Sequence, residues 1–213
     1  GLLGAALVSA GIGSWQFDGI IWKVLVPLIG SPIIGFTGGL LLMALIFNVF
    51  RRANPHGLNA AFRRLQILSA AYMAFSHGSN DAQKTMGIMT LALVTAGVID
   101  SFVVPLWVIL LAASAISLGT AAGGRRIIKT MGQKVVKLDP VHGFAAETTA
   151  ASVIFTASHF GMPVSTTHVI SSAIMGVGSS DRLKTVRWGV ARQIVSAWIL
   201  TLPASGLMAG VGY

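Results

Sequence analysis

Two polar stretches interrupt apolar sequence and carry the groups that could handle ions. The first is Ser76-His77-Gly78-Ser79-Asn80-Asp81-Ala82-Gln83-Lys84, in the middle of an apolar run over about residues 65–97. The second is Gly161-Met162-Pro163-Val164-Ser165-Thr166-Thr167-His168, followed by small residues up to Gly178. A carboxylate near mid-bilayer costs roughly 2.5–3.5 kcal/mol on insertion scales, so such a group faces a protein interior or a water-filled cavity and acts there. The hydroxyls of Ser165, Thr166 and Thr167 are donors that rotate to fit an anion. Asp81, Asn80, Glu147 and freed backbone carbonyls are the oxygen ligands a cation needs. Together they describe a site for an anion beside a cation or a proton.

The elements that would position these groups are helices interrupted by glycine and proline. Residues 65–97 are too long and too polar at the centre for one plain crossing of about 20 residues. They are expected to form two half-helices with an unwound joint near Gly78. Ser79 or Asn80 would cap the second half over 82–97. Gly161-Met162-Pro163 is expected to break a second helix, with Ser165 capping the helix that runs through His168 and Ile174. Open helix N-termini present amides and a positive dipole end, which suits phosphate-like anions. Lys84 would then lie in the first turn of a half-helix, where the dipole disfavours it. It needs Asp81, Glu147 or a bound anion as partner, and a permanent Lys84–Asp81 ion pair is the plain alternative.

Other side chains read two ways. His77 and His168 are either hydrogen-bonded interior histidines or proton handlers. With Gln83, Lys84 and Thr148 they are the candidates for tuning charge nearby. Ser165 and His168 could suggest an intramembrane hydrolase, but they lie three apart on one helix, with no nucleophile elbow and no clear third partner, so no enzyme is expected. Thr149, Ser152 and Thr156 read as helix-to-helix glue, and Gly119, Gly123 and Gly124 as close packing.

The composition sets the frame. Of 213 residues, 54% are hydrophobic and 10% charged, against about 25% charged in soluble domains. An all-α, polytopic transmembrane bundle follows. The net charge of +9 sits in short connections between apolar runs, as in cytoplasmic loops, and not as a nucleic-acid surface. Without cysteine there is no disulfide framework and no thiolate metal site; no cofactor or metal set is assigned. The chain opens at Gly1 inside an apolar run, which reads as a fragment whose first part is missing.

The order expected is a helix end and a membrane span over 1–50, bent at Pro27 or Pro32. A basic connection over 51–64 follows, read as an interfacial helix or a loop. The broken helix and next span cover 65–122, ended by Gly123-Gly124. A basic cytoplasmic loop runs over 123–142, with Asp139-Pro140 starting the next helix. A helical hairpin covers 143–178, and a basic connection with a final span covers 179–213. If the basic connections share one side, segment 143–178 must cross an even number of times, or dip in and return.

The stretch 76–87 resembles the "GxND" signature of the inorganic phosphate transporter family, and 161–168 its "PVSTTH" signature. The linker Arg125-Arg126-Ile127-Ile128-Lys129-Thr130-Met131-Gly132, then 137–144, is similar to the bacterial low-affinity branch. The resemblance implies an inverted-repeat secondary transporter with broken helices and a re-entrant or hairpin segment. It implies symport of inorganic phosphate with a cation, across the cell inner (plasma) membrane. Asn80, Asp81, Ser165, Thr166 and Thr167 would bind substrate, and Asp81, Asn80 and Glu147 would couple the cation. Each signature occurs once here, so the chain resembles the second repeat with the end of the first. The first repeat of the same protein is then a partner, with the lipid bilayer and a second copy in a homo-oligomer. Gln83-Lys84 looks more like proton-coupled members than sodium-coupled ones, with metal-phosphate as one form of the cargo. Another oxyanion such as sulfate, or a non-transporting membrane scaffold, are the rival readings.

Overall fold

The computed structural model describes residues 1–129, 138–181 and 186–212, and every regular element among them is helical. Helix α1 (Leu2–Ala10) precedes a 3-10 turn (Ile12–Ser14). Helix α2 (Phe17–Gly19) passes through a π-helical stretch (Ile20–Leu25) into α3 (Val26–Phe50). The departure from α geometry thus comes just before Pro27, while Pro32 lies inside α3. Then follow α4 (Pro55–Thr95), α5 (Leu106–Lys129), α6 (Pro140–His159), α7 (Thr166–Asp181) and α8 (Trp188–Val211).

Helix α4 differs from the sequence expectation. It runs unbroken for 41 residues, about 60 Å at 1.5 Å per residue, straight through Gly78. There is no unwound joint, Ser79 and Asn80 cap nothing, and Lys84 lies in a helix interior, not a first turn. A lone glycine costs a helix only about 1 kcal/mol, and no proline follows it here. Asn80, Asp81 and Lys84 find partners on the α6–α7 hairpin, so the backbone need not open to satisfy them. Leu58, Ala61, Phe62 and Leu65 belong to the first turns of the same helix, which replaces the expected connection. Helix α5 also outruns its expected end and continues past Gly123-Gly124. The basic residues Lys134, Lys137, Arg182 and Lys184 lie outside the described residues.

The second interruption is a true break. Helix α6 starts at Asp139, whose carboxylate accepts from the His142 amide at 2.9 Å, with Pro140 in the first turn. It stops where Gly161 takes φ +65°. There the Met162 amide donates to the Ala157 carbonyl and the Gly161 amide to that of Ser158, a Schellman closure that glycine permits without strain. Pro163 keeps the chain extended. Helix α7 then begins under Ser165, whose Oγ accepts from the His168 amide at 3.4 Å.

Two hydrogen bonds fix the register of α6 on α4. Ser69 pairs with Glu147 and Asn80 with Ser158, each across 78 residues of sequence. Equal separations mean that the helices run parallel. Helix α6 therefore ends level with the polar middle of α4, and α7 turns back beside α3. Gly35 faces Val169 and Gly39 faces Ala173, so α3 and α7 are also parallel. Segment 143–178 is therefore an antiparallel hairpin, an arrangement that fits two crossings as well as a dip and return.

Helix α7 is the packed centre: Val169 and residues 171–179 are buried. Small residues let α3 approach it. A Cβ on Gly176 would collide with the Phe36 carbonyl oxygen, and one on Gly39 would lie 2.6 Å from the Ala173 oxygen. Gly4 and Gly206 make a similar close crossing between α1 and α8. The close packing expected at Gly119 and Gly123 is absent: no described atom lies within 4 Å of a Cβ built there. At one end, Met43, Phe62, Val141, Val177, Val186 and Ala191 form a single core. That end gathers the close of α3, the start of α4 and the start of α6, and so the first basic connection and the Asp139 cap.

Three segments, Phe17–Phe50, Leu106–Gly124 and Trp188–Val211, are long and apolar enough to cross a membrane. They present Ile29, Ile33, Leu41, Leu110, Leu118, Ile199, Leu200 and Leu207 outward, as a lipid-facing surface does.

Candidate functional site

Asp81 sits where the middle of α4 meets the break between α6 and α7. Its Oδ1 accepts from Lys84 Nζ and from Asn80 Nδ2, both at 3.2 Å. Its Oδ2 accepts from Thr166 Oγ1 at 3.4 Å and lies 3.6 Å from His77 Nε2. Residues 77, 81 and 84 fall on one face of a continuous helix because their spacing is i, i+4 and i+3. Thr166 arrives from the first turn of α7.

The carbonyl of Val164 is the second focus. It belongs to the extended link between α6 and α7, outside any helical ladder. It accepts from Lys84 Nζ at 2.6 Å and from Asn80 Nδ2 at 3.2 Å. Asn80 is only 2% exposed, and its Oδ1 accepts from Ser158 Oγ at 3.1 Å. Every polar atom of this buried amide side chain is thus engaged, as burial demands.

An open cavity of about 390 Å³ is lined by Leu28, Asp81, Lys84, Pro163, Val164, Ser165, Thr166 and Thr167. A neighbouring one of about 250 Å³ is lined by Asn80, Gln83, Lys84, Ser158 and residues 161–163. Lys84 borders both. The first holds a carboxylate, an ammonium, three hydroxyls and the first-turn amides of α7, whose N–H groups have no carbonyl within their own helix to pair with. Such a wall can take a small oxyanion on the α7 side and a cation on the α4 side.

The structure brings Asn80, Asp81, Lys84, Ser165, Thr166 and Thr167 together, with His77 beside them and Gln83 in the adjoining cavity. It does not bring Glu147 or Thr148. Glu147 Oε2 accepts from Ser69 Oγ at 2.6 Å, about three turns of α6, roughly 16 Å, from the level of Ser158. The expected grouping of Glu147 with Asp81 is therefore corrected: the parallel register holds the two carboxylates at different depths. His168 points away as well, and its ring stacks on Trp198 at 4.1 Å between centroids. Thr149 packs against Gly38, and Ser152 and Thr156 line an apolar groove with Ser31.

Sequence reasoning missed Ser158, Ser69, Trp198 and the Val164 carbonyl. Only the last left a signal, since a residue between a proline and an N-cap has its carbonyl outside the helix.

Comparison with known proteins agrees with this architecture. Residues 50–209 match the Phosphate transporter family. Over 213 residues the chain is 45% identical to a Bacillus subtilis (strain 168) protein named "Probable low-affinity inorganic phosphate transporter", covering 100% of this chain and 64% of that one. A Rhizobium meliloti (strain 1021) protein of the same name is 46% identical over 97% of this chain and 64% of its own length. One from Mycobacterium leprae (strain TN) is 39% identical and is 52% covered. The chain thus spans between half and two thirds of these relatives. A solved structure titled "The sodium-dependent phosphate transporter" superposes with a TM-score of 0.87 at 24% identity, over 98% of this chain and 69% of that one, a likeness of fold. On the strength of the match across 50–209 and of relatives aligned along its length, the chain belongs to the Phosphate transporter family.

Proposed function

We propose that the complete protein carries inorganic phosphate across the cell inner membrane by alternating access, in symport with a cation. The single observation behind this reading is the cavity shared by Asp81, Lys84 and residues 163–167. In it, Ser165, Thr166 and Thr167 hold phosphate oxygens with hydroxyls and α7 amides, while Asn80 and Asp81 hold the α4 side. Lys84 and His77 balance charge, and Gln83 lies beside them. Glu147 serves from its own position at Ser69, as a carboxylate nearer the basic end of the hairpin. The proton is favoured over sodium as coupling ion, with free phosphate or metal-phosphate as cargo. The first repeat, in inverted orientation, completes the site.

A scaffold would pair its mid-span polar groups only with each other and leave no cavity, which fits poorly with Asp81 and Lys84 lining one. Sulfate is disfavoured because it has no proton to give Asp81 at neutral pH. Uptake of labelled phosphate by vesicles containing the complete protein tests the proposal. Phosphate is expected to enter, and excess sulfate to leave its uptake unchanged. No uptake, or equal competition by sulfate, would overturn it.

A further inference from the structure

We propose that the Lys84 ammonium is a tethered cation, filling from within the chain the position between Asp81 and the Val164 carbonyl where a monovalent cation from solution would otherwise bind. The proposal rests on the transport reading above and specifies its cation half.

The oxygens around Nζ are those of a cation site. One is a backbone carbonyl released at a helix break, at 2.6 Å; another is a carboxylate oxygen at 3.2 Å. Broken-helix carbonyls and carboxylates are what transporters offer to small cations. An ordinary i, i+3 ion pair needs only Asp81. Here the shorter contact is the other one, reaching 80 residues along the chain to the hairpin. The ammonium thus ties α4 to the α6–α7 link as a bound metal ion would, and a compact point charge is suited to that.

Asn80 Nδ2 donates to the same two oxygens, each at 3.2 Å, so the ammonium shares them with a neutral amide that holds the pair in place. Thr166 Oγ1 donates to the far oxygen of Asp81, Oδ2, and so stays on the anion side. His77 is the other cationic group facing Asp81, at 3.6 Å and on Oδ2, so it does not compete for the Lys84 position. Cavities border Lys84 on two sides, so shortening the side chain leaves room for a hydrated ion. The seats next to Ser165 and Thr166 remain for the anion.

The test is binding of radiolabelled sodium to the purified complete protein, with no phosphate present. Lys84→Asn and Lys84→Gln are each expected to bind one more sodium per protomer than wild type. In vesicles, sodium standing in for the lost ammonium is expected to stimulate phosphate uptake by these variants about thirtyfold over choline, the lower end of the effect of truncating one partner of a charge pair. Equal sodium stoichiometry in wild type and folded variants overturns the proposal. A second measurement needs no variant: crystals of the wild-type protein soaked in thallium should show no ion between Asp81 Oδ1 and the Val164 carbonyl, and a peak there also overturns it. Because sodium binding is read without phosphate, absent phosphate uptake sinks only the transport reading, and unchanged sodium binding sinks only this one.

Discussion

Ser158 donates its hydroxyl to Asn80 Oδ1 at 3.1 Å, which turns the Asn80 amino group toward the Val164 carbonyl and Asp81. The serine touches neither proposed ion, yet it decides which end of the amide faces them. Ser158→Ala leaves a buried acceptor unpaired, a cost of about 1–3 kcal/mol. Its thermal stability should fall and its KM for phosphate should rise, while Ser158→Thr, which keeps the hydroxyl, should restore both. An unchanged KM in Ser158→Ala would mean that Asn80 is held without it.

The continuity of α4 at Gly78 has an opposite signature to that of the packed glycines. No described atom lies within 4 Å of a Cβ built at Gly78, whereas one at Gly176 meets the Phe36 carbonyl. Gly78→Ala should therefore stabilise the protein by about 0.5–1 kcal/mol through helix propensity. Gly176→Ala should destabilise it by about 1–3 kcal/mol through forced separation of α3 and α7. Thermal unfolding in detergent reads both, and a strong loss in Gly78→Ala would argue for an opened joint.

Much of the architecture was legible in sequence because its causes are local. Asp139 with Pro140, and Gly161 with Pro163, act within a turn of themselves, so the start and end of α6 could be read directly. The joint expected at Gly78 failed for a non-local reason. Polar residues in an apolar run look like a break when their partners are unseen. Here Val164, Ser158 and Thr166 supply those partners from about 80 residues away, and the helix stays closed. The grouping of Glu147 with Asp81 failed similarly, since only the parallel register of α4 and α6 sets their depths. No pattern within either helix encodes that offset.

Asp139 links the base of the hairpin to pH. Burial alone would raise its pKa, but hydrogen bonds from the His142 amide and ring, with the charge of that ring, outweigh it and hold the carboxyl below its ordinary 3.8. His142 Nδ1 lies 2.6 Å from Asp139 Oδ1. A depressed folded-state value means that the ionised form favours folding. That contribution is complete above the unfolded-state pKa and is lost as pH falls through the lower, folded one. Below about pH 4, near the free aspartate value, wild type should lose stability more steeply than Asp139→Asn, which keeps a capping oxygen but cannot titrate. Parallel stability curves for the two proteins between neutral and strongly acid pH would show that the cap's charge is immaterial.

The central claim is that Asp81 and the α7 cap form one ion site. Uptake of labelled phosphate by vesicles containing the complete protein with Asp81→Asn tests it most directly. The substitution keeps the size of the side chain but removes the charge that faces Lys84, His77 and Thr166. Losing one partner of such a charge pair predicts a fall of about thirtyfold or more, with the protein still folded and inserted. Uptake close to wild type in Asp81→Asn would contradict the account.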